Sequence, residues 1–266
     1  MMRAALLAAL VLLVAAPRAQ AAPTLTMSGS SVAEALVADL AYFYRHASHD
    51  PPRFSLVGGG TGTGLADAAR GVVDAGLVSR NLIPGDPPGL VLSPLALSGV
   101  CLVTNKTNPL ANLTFAQIQD IVAGRVTSWT QVPGSPRTDA IVPATLDLTA
   151  GARQVFESVF VDLSTPELYQ PRTFATAAQI RDFVEQTPGA FGYADLALTA
   201  PLHRVSYQGV PCTRTTVRLG TYPAQRPLGL VTRGRPRGAL ARFLRWAVHS
   251  RTARRVISSR YVELGQ

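Results

Sequence analysis

The chain has 266 residues, of which 47% are hydrophobic and 15% are charged, and its formal net charge at pH 7 is +9. This balance excludes a globally disordered chain. Two cysteines are too few for a disulfide scaffold or a four-thiolate zinc site. A positive charge of this size suggests nucleic acid as a partner, but the first residues of the chain argue against that partner.

The chain begins with a segment typical of a secretory signal peptide. A basic start that ends at Arg3 precedes an apolar run from Ala4 to Ala16, and an Ala-x-Ala pattern ends at Ala21. The apolar run is too short to anchor the chain in a membrane, which needs about 20 residues. No cysteine at the cleavage point would accept a lipid. We therefore expect cleavage after Ala21 and a periplasmic or secreted protein that meets no nucleic acid.

Apolar residues in the first part of the mature chain predict alternating strands and helices. In chain order, we predict a strand at 24–27, a helix at 32–44, a strand at 53–57, a helix at 65–70 and a strand at 74–78. Strands that alternate with helices in this way form a parallel sheet with helices on its faces. The predicted fold class is therefore α/β.

The same alternation continues to the end of the chain. Thr114 and Gln117 have the spacing of a capping box at a helix start, and Gly124 would end that helix. A proline-rich turn at 84–88 reads as a surface loop, not as a domain boundary. The further predicted elements are strands at 97–104, 140–144, 191–193 and 228–232, helices at 153–161, 177–186 and 237–249, and β-structure with turns at 207–221.

The two cysteines, Cys101 and Cys212, would lie in an oxidising compartment after export. A disulfide between them is one interpretation. Two separately buried thiols are the other, because Cys101 lies in an apolar strand pattern. The sequence does not supply the Cα separation that a disulfide needs, so both interpretations stay open.

Small and hydroxyl residues precede predicted helices at three places, residues 28–31, 58–64 and 149–152. A helix N-terminus offers unpaired N–H groups and a positive dipole end, and glycine lets a ligand approach the backbone closely. Such a combination binds anions. Ordinary helix capping is the alternative for each cluster. The second cluster has more glycine than capping needs, but it lacks the Gly-Lys-Ser/Thr ending of a nucleotide-binding loop.

An ordered series of segments covers nearly the whole mature chain: residues 58–64, 73–80, 105–110, 124–129, 187–193, 221–223 and 261–262. This series resembles the phosphate-binding proteins of ABC transporters. The resemblance implies a type II periplasmic-binding-protein fold, with two α/β lobes joined by a two-strand hinge and a ligand in the cleft. Lobe 1 would comprise residues 22–96 and 222–266, and lobe 2 would comprise residues 97–221.

The resemblance also implies ligand groups in lobe 1. Two serines match the first phosphate-binding turn of the family, and a Thr-Gly pair matches the second. A Ser-Arg pair matches a variant found where other members have an aspartate. These positions are Ser30, Ser31, Thr61, Gly62, Ser79 and Arg80.

The third ligand turn, in lobe 2, departs from the family pattern. The family typically has an arginine a few residues before a Ser-Gly-Thr turn, whereas Leu146 stands at the arginine position here. Alanines also stand at the Ser and Thr positions of the turn, so two hydroxyl donors and a guanidinium are absent. A hydrogen bond to a charged group contributes about 1.5–3 kcal/mol, so the loss of these three groups could weaken phosphate binding by orders of magnitude. Either Arg80 or Arg153 could restore a positive charge. The expected ligand positions of this turn are Ala150, Gly151, Ala152 and Arg153.

The C-terminal part of the chain is strongly basic. Residues 196–262 contain thirteen arginines and no Asp or Glu, and nine of these arginines lie between Arg233 and Arg260. One interpretation is contact with anionic lipid or an acidic partner. The other is a solvated helix face in a chain that prefers arginine to lysine.

The remaining motifs favour binding over catalysis. Four scattered histidines have no cluster of metal ligands around them, and no nucleophile–base set is visible. We therefore expect no metal, no cofactor and no enzymatic activity. The predicted function is an exported, monomeric solute-binding protein that holds a small oxyanion, with phosphate first, for an ABC permease. The alternative is an interaction or sensory module on the same fold with altered or lost anion binding.

Overall fold

The computed structural model describes residues 22–161 and 171–265, so the predicted signal peptide lies outside the described residues. The strands are β1 (Thr24–Gly29), β2 (Arg53–Gly58), β3 (Ala75–Val78), β4 (Leu90–Thr104), β5 (Asn112–Leu113), β6 (Val142–Leu146), β7 (Arg172–Phe174), β8 (Ala190–Asp195), β9 (His203–Tyr207) and β10 (Gln225–Arg233). The helices are α1 (Ser31–Ala47), α2 (Thr61–Arg70), α3 (Phe115–Val122), α4 (Gly151–Phe160), α5 (Ala177–Gln186), α6 (Arg214–Arg218), α7 (Gly238–His249) and α8 (Arg251–Arg260).

The main path through the sheet runs in the order β2-β1-β3-β10-β4-β8-β6-β7. Strand β1 pairs parallel with β2 and β3, and β6 pairs parallel with β8 and β7. Between these two parallel parts, β10 pairs antiparallel with β3 and β4. Residues 90–99 of β4 pair with β10, whereas residues 100–104 pair with β8 and β9. The long strand β4 therefore joins the two parts of the sheet.

Two large hydrophobic cores lie along this sheet. In the first, Leu36 and Leu40 of α1 pack with Phe243 of α7 against the sheet. Its other members lie mostly at 25–96 and 228–261. The second core lies mostly at 100–224 and includes the buried Trp129 and Tyr193. The exact lobe boundaries, 22–96 with 222–266 and 97–221, stay a prediction.

Most of the predicted elements are confirmed, and local signals explain them. Helix α5 has the predicted bounds, and Thr114 with Gln117 forms the predicted capping box at the start of α3. Helix α2 begins four residues earlier than predicted, at Thr61, because Gly60 serves as its N-cap. Strand β4 also begins earlier, at Leu90, because its first half pairs with β10.

The prediction of β-structure and turns at 207–221 is wrong in part, and helix α8 was not predicted. Helix α6 lies in that region, where Thr213 and Thr216 form a capping box. Helix α8 buries only Ala253 and Ile257, so its sequence shows little apolar periodicity. The short strands β5, β7 and β9 were not predicted either.

A disulfide joins Cys101 on β4 to Cys212 in the turn before α6, with a Cα–Cα distance of 5.5 Å. Both residues are buried. The structure therefore contains the bridge that the sequence left open, and a covalent link holds the α6 region to β4. Over the described residues, no helix combines the length and the apolar character that crossing a membrane requires.

Candidate functional site

A small cavity lies where the N-termini of α1, α2, α4 and α5 meet. Its free volume is about 20 Å³. Seven of the ten predicted site residues line it, and so do six others. The lining residues are Ser30, Ser31, Val32, Gly60, Thr61, Ser79, Leu146, Ala150, Gly151, Ala152, Ala175, Ala177 and Arg226.

Strand direction brings the lobe 1 side of the cavity together. The parallel strands β1, β2 and β3 end at the same edge of the sheet. The residues that follow them are Ser30, the Gly60–Thr61 pair and Ser79. Because β10 runs antiparallel to β3, its first residues, including Arg226, lie at this same edge. Ligands of open α/β sheets bind at such carboxyl ends.

The glycine-rich cluster lets α2 pack directly on the strands. Gly60 has φ of +86°, a conformation that other residues rarely adopt. A Cβ on Gly64 would lie 2.7 Å from the Ser28 carbonyl oxygen and 2.8 Å from that of Leu77. The excess of glycine over ordinary capping is therefore explained by backbone conformation and close helix–strand contact.

Buried hydroxyl groups form a network on the lobe 1 side. The Ser79 N–H donates to the Thr61 Oγ1 at 3.1 Å, and the Oγ atoms of these two residues lie 3.2 Å apart. The Ser30 Oγ accepts a bond from the Ala33 N–H at 3.4 Å and so caps α1. The hydroxyls of Thr61 and Ser79 thus remain in mutual contact at the wall of the cavity.

An arginine that the sequence analysis missed completes this wall. Arg226 Nη1 donates to the Ser79 Oγ at 2.7 Å, and Nη2 donates to Asp195 at 2.9 Å. The side chains of Arg226 and Asp195 are 1% and 0% exposed. Asp195 also accepts bonds from the Ser98 hydroxyl and the Ala197 N–H. The buried Arg226 Nε has no hydrogen-bond partner among the described residues, so this guanidinium keeps an unused donor.

The signal for Arg226 was present in the sequence. It is the one charged residue in the buried run of β10, residues 226–232. A charged side chain inside a buried strand is expected only where it is paired or functional. Its partner lies 31 residues earlier in the chain, so no local pattern could identify it.

The lobe 2 side of the cavity offers backbone and apolar groups. Helix α4 begins at Gly151, and its N-cap, Ala150, provides no side-chain cap. A Cβ on Gly151 would lie 2.5 Å from the Thr61 Oγ1 and 2.7 Å from the Ser79 Oγ. The start of α4 therefore approaches lobe 1 too closely for any side chain at this position.

Leu146, which we expected at the position of the family's arginine, also lines the cavity. Its N–H donates to the Tyr193 hydroxyl at 3.0 Å, and this hydroxyl lies 2.9 Å from the Thr145 Oγ1. Burial raises the pKa of Tyr193 to about 12, so its phenol stays neutral. The lining holds no charged side chain on this side, and Arg226 belongs to the opposite wall.

Three predicted ligand residues lie outside the cavity. The Gly62 N–H donates to the Thr149 carbonyl at 2.9 Å. The Arg80 guanidinium pairs with both carboxylate oxygens of Asp86, each at 2.7 Å. Arg153 bonds to Glu157 at 2.6 Å and to the Leu146 carbonyl at 3.1 Å. Neither Arg80 nor Arg153 belongs to the cavity lining, and the expectation that one of them restores the missing charge stays a prediction.

The cavity has the chemistry of an anion site. Helix N-termini supply N–H donors and positive dipole ends, and hydroxyls and a guanidinium add further donors. No Asp or Glu belongs to the lining, and the described part of the chain holds no group of three or more potential metal ligands. The predicted convergence of three helix tips is confirmed, and α5 adds a fourth.

The chain is similar to known proteins over most of its length. Residues 14–251 match a family model described as the PBP superfamily domain. The chain is 24% identical over 230 residues to the phosphate-binding protein PstS of Bacillus subtilis. The aligned region covers 85% of this chain and 75% of that protein.

Two solved structures establish the fold. The first is a phosphate ABC transporter substrate-binding protein with bound phosphate from Clostridium perfringens, with a TM-score of 0.83 and 22% identity over 91% of this chain and 100% of that one. The second is an ABC-type phosphate transport receptor from Vibrio cholerae, with a TM-score of 0.70 and 23% identity over 90% of this chain and 99% of that one. The predicted type II periplasmic-binding-protein fold is therefore confirmed.

Proposed function

The chain belongs to the PBP superfamily, and on this premise we propose that it is an exported solute-binding protein for a small oxyanion. Phosphate is the proposed ligand, and an ABC permease in the membrane is the proposed recipient. The relative and the two structures described above are named for phosphate binding or transport, which supports this choice of ligand. They give no support to the alternative of an interaction or sensory module.

One observation carries the proposal: four helix N-termini and a buried arginine meet at one cavity. Free N–H groups at the starts of α2 and α4 fit an oxyanion, because side chains cap neither helix. The hydroxyls of Ser31, Thr61 and Ser79 and the Nε of Arg226 are the proposed side-chain donors. The backbone N–H groups of Gly151 and Ala152 are the proposed donors of lobe 2, since the Ala150 N–H already donates to the Asp147 carbonyl at 2.9 Å.

The net charge of the site explains why the helix dipoles matter. Asp195 neutralises much of the Arg226 charge, because the two side chains form a buried ion pair. The positive ends of four helices therefore provide a large share of the attraction for an anion. Fixed dipoles of this kind act more strongly at a partly buried site than in bulk water.

Binding requires the two lobes to separate and then close. A free volume of about 20 Å³ has room for about one water molecule, whereas a tetrahedral oxyanion has five heavy atoms. We propose that lobe 1 (22–96 and 222–266) and lobe 2 (97–221) move as two bodies about β4 and the segment before β10. Closure around the ligand is the working step, with no covalent chemistry.

Titration calorimetry of the exported form, residues 22–266, tests the proposal with phosphate, sulfate and chloride. We expect heat and a thermal shift with phosphate. The variant Thr61→Val removes a hydroxyl from the cavity wall and should weaken binding about tenfold or more. Thr63→Val is the matched control, because the Thr63 hydroxyl bonds to the Gly59 carbonyl outside the cavity. Absence of heat and of a thermal shift with every oxyanion would refute the proposal.

A further inference from the structure

Two side chains beside the cavity meet across the proposed lobe boundary. Arg80 follows Ser79 at the end of β3, and Gln154 lies in the first turn of α4. The Arg80 Nε donates a hydrogen bond to the Gln154 Oε1. Arg80 directly follows Ser79, which lines the cavity, and Gln154 lies two residues after Ala152, which also lines it.

Arg80 is held rigidly in this position. Its two terminal nitrogens bond to the two carboxylate oxygens of Asp86, and Nη1 also bonds to the Asn81 carbonyl at 2.7 Å. Asp86 accepts a further bond from the Ile83 N–H at 2.9 Å. The side chains of Arg80 and Asp86 are 7% and 12% exposed. Asp86, in the proline-rich turn at 84–88, therefore orients the guanidinium independently of Gln154.

We propose that Arg80, oriented by Asp86, and Gln154 form an interlobe clasp that determines how long an anion remains in the cavity. This inference rests on the proposed function. Lobe opening moves the start of α4 away from Ser79, and the Arg80–Gln154 hydrogen bond must break for that movement. A hydrogen bond to a charged group is stronger than one between neutral groups, so the clasp stabilises the closed form.

The clasp differs from two other contacts between the proposed lobes, and a third, from the Arg214 guanidinium to the Ser258 carbonyl, lies away from the cavity lining. The bond from the Gly62 N–H to the Thr149 carbonyl involves backbone atoms, so a side-chain substitution does not remove it. The Arg226–Asp195 pair lies beside β4 and β8, the strands that join the lobes, and is placed to persist during opening. Arg80 and Gln154 are therefore positioning residues for binding rather than ligands.

Gln154 is a suitable residue for the test because its side chain is only partly buried. The variant Gln154→Met keeps the length of the side chain but removes the acceptor and also the Nε2 donor to the Leu148 carbonyl at 3.4 Å. Gln154→Glu loses the same donor but keeps an acceptor, so it separates the two effects. Gln186→Met is the control, since Gln186 is exposed at the end of α5 and makes no side-chain hydrogen bond among the described residues. Thermal unfolding of each variant verifies that it is folded.

The experiment measures phosphate affinity by calorimetry and phosphate release by a chase of radiolabelled phosphate. We expect Gln154→Met to release phosphate about tenfold faster than the wild type. Gln154→Glu and Gln186→Met should stay within about twofold of the wild type, since neither loses the acceptor opposite Arg80. Equal release from Gln154→Met and the wild type, or equal acceleration in both Gln154 variants, would overturn the clasp.

Solution scattering separates failure of the clasp from failure of the proposed function. In phosphate-free buffer, Gln154→Met should have a larger radius of gyration than the wild type and Gln186→Met, because more molecules are open. If the wild type binds no phosphate, the proposed function fails, and this scattering difference alone decides the clasp. Equal radii in all three proteins would overturn it.

Discussion

The buried pair of Arg226 and Asp195 makes the sharpest test of how the cavity wall is held. In the variant Arg226→Met, the aliphatic stem is largely preserved but the guanidinium is lost. Asp195 then retains the Ser98 hydroxyl and the Ala197 N–H as neutral donors. Since the Asp195 side chain is 0% exposed, water cannot replace the missing cation.

The expected cost is large. Removing one partner of a buried ion pair typically destabilises a protein by about 3–5 kcal/mol, because the remaining charge stays buried without compensation. For a chain of this size, that corresponds to a fall in Tm of roughly 6–20 °C. Neutralising the partner should reverse part of this loss, so Arg226→Met/Asp195→Asn should be more stable than Arg226→Met alone.

Urea denaturation measures the free energies of unfolding of the wild type, Arg226→Met, Asp195→Asn and the double variant, which together form a double-mutant cycle. Arg218→Met is the control, because Arg218 is exposed and without an ion pair among the described residues; we expect a change within about 0.5 kcal/mol. A cost below about 1 kcal/mol for Arg226→Met, or a double variant no more stable than the single one, would contradict the reasoning. Both Arg226 variants should also lose phosphate affinity.

Three further outcomes are expected. Gly151→Ala should abolish tight oxyanion binding in calorimetry, because its Cβ would lie 2.5 Å from a hydroxyl oxygen across the cavity, whereas Gly59→Ala, with only ordinary contacts, should bind normally. Reduction of the Cys101–Cys212 bridge should destabilise the protein by about 2–5 kcal/mol in denaturant titration, and an unchanged midpoint would contradict a structural role. The hydrogen bond from Arg80 to the Asp86 carboxylate holds the pKa of Asp86 below the ordinary 3.8. The stability advantage of the wild type over Asp86→Asn should therefore be constant above about pH 5 and disappear as pH falls through the lowered pKa; an advantage that grows on acidification would refute this.

Much of the fold followed from local patterns. The capping box of Thr114 and Gln117 and the bounds of α5 depend on residues three to four positions apart, which a sequence displays directly. The later elements were harder to predict. Helix α8 is arginine-rich and buries few residues, and α6 has only five residues, so neither shows a clear apolar period.

The candidate site was predicted in part for the same reason. Ser30, Thr61 and Gly151 lie at helix starts that can be recognised from adjacent residues, and all three line the cavity. Arg80 was assigned to the ligand because the Ser79-Arg80 pair matches a Ser-Arg variant of the family that the sequence resembles. Its direction depends on Asp86, six residues further on, in a turn whose path the sequence does not specify. Adjacency along the chain predicted the region of the site but not the orientation of a long side chain.

The sequence alone determined the alternation of strands and helices and the helix starts rich in hydroxyl and glycine residues, because capping and periodicity act over a few residues. The export signal stays a prediction. Only the tertiary structure decided which charge serves the cavity. Ser79 and Arg226 are 147 residues apart and meet because β10 runs antiparallel between β3 and β4. Arg226 therefore reaches the cavity lining through strand order and not through any local motif.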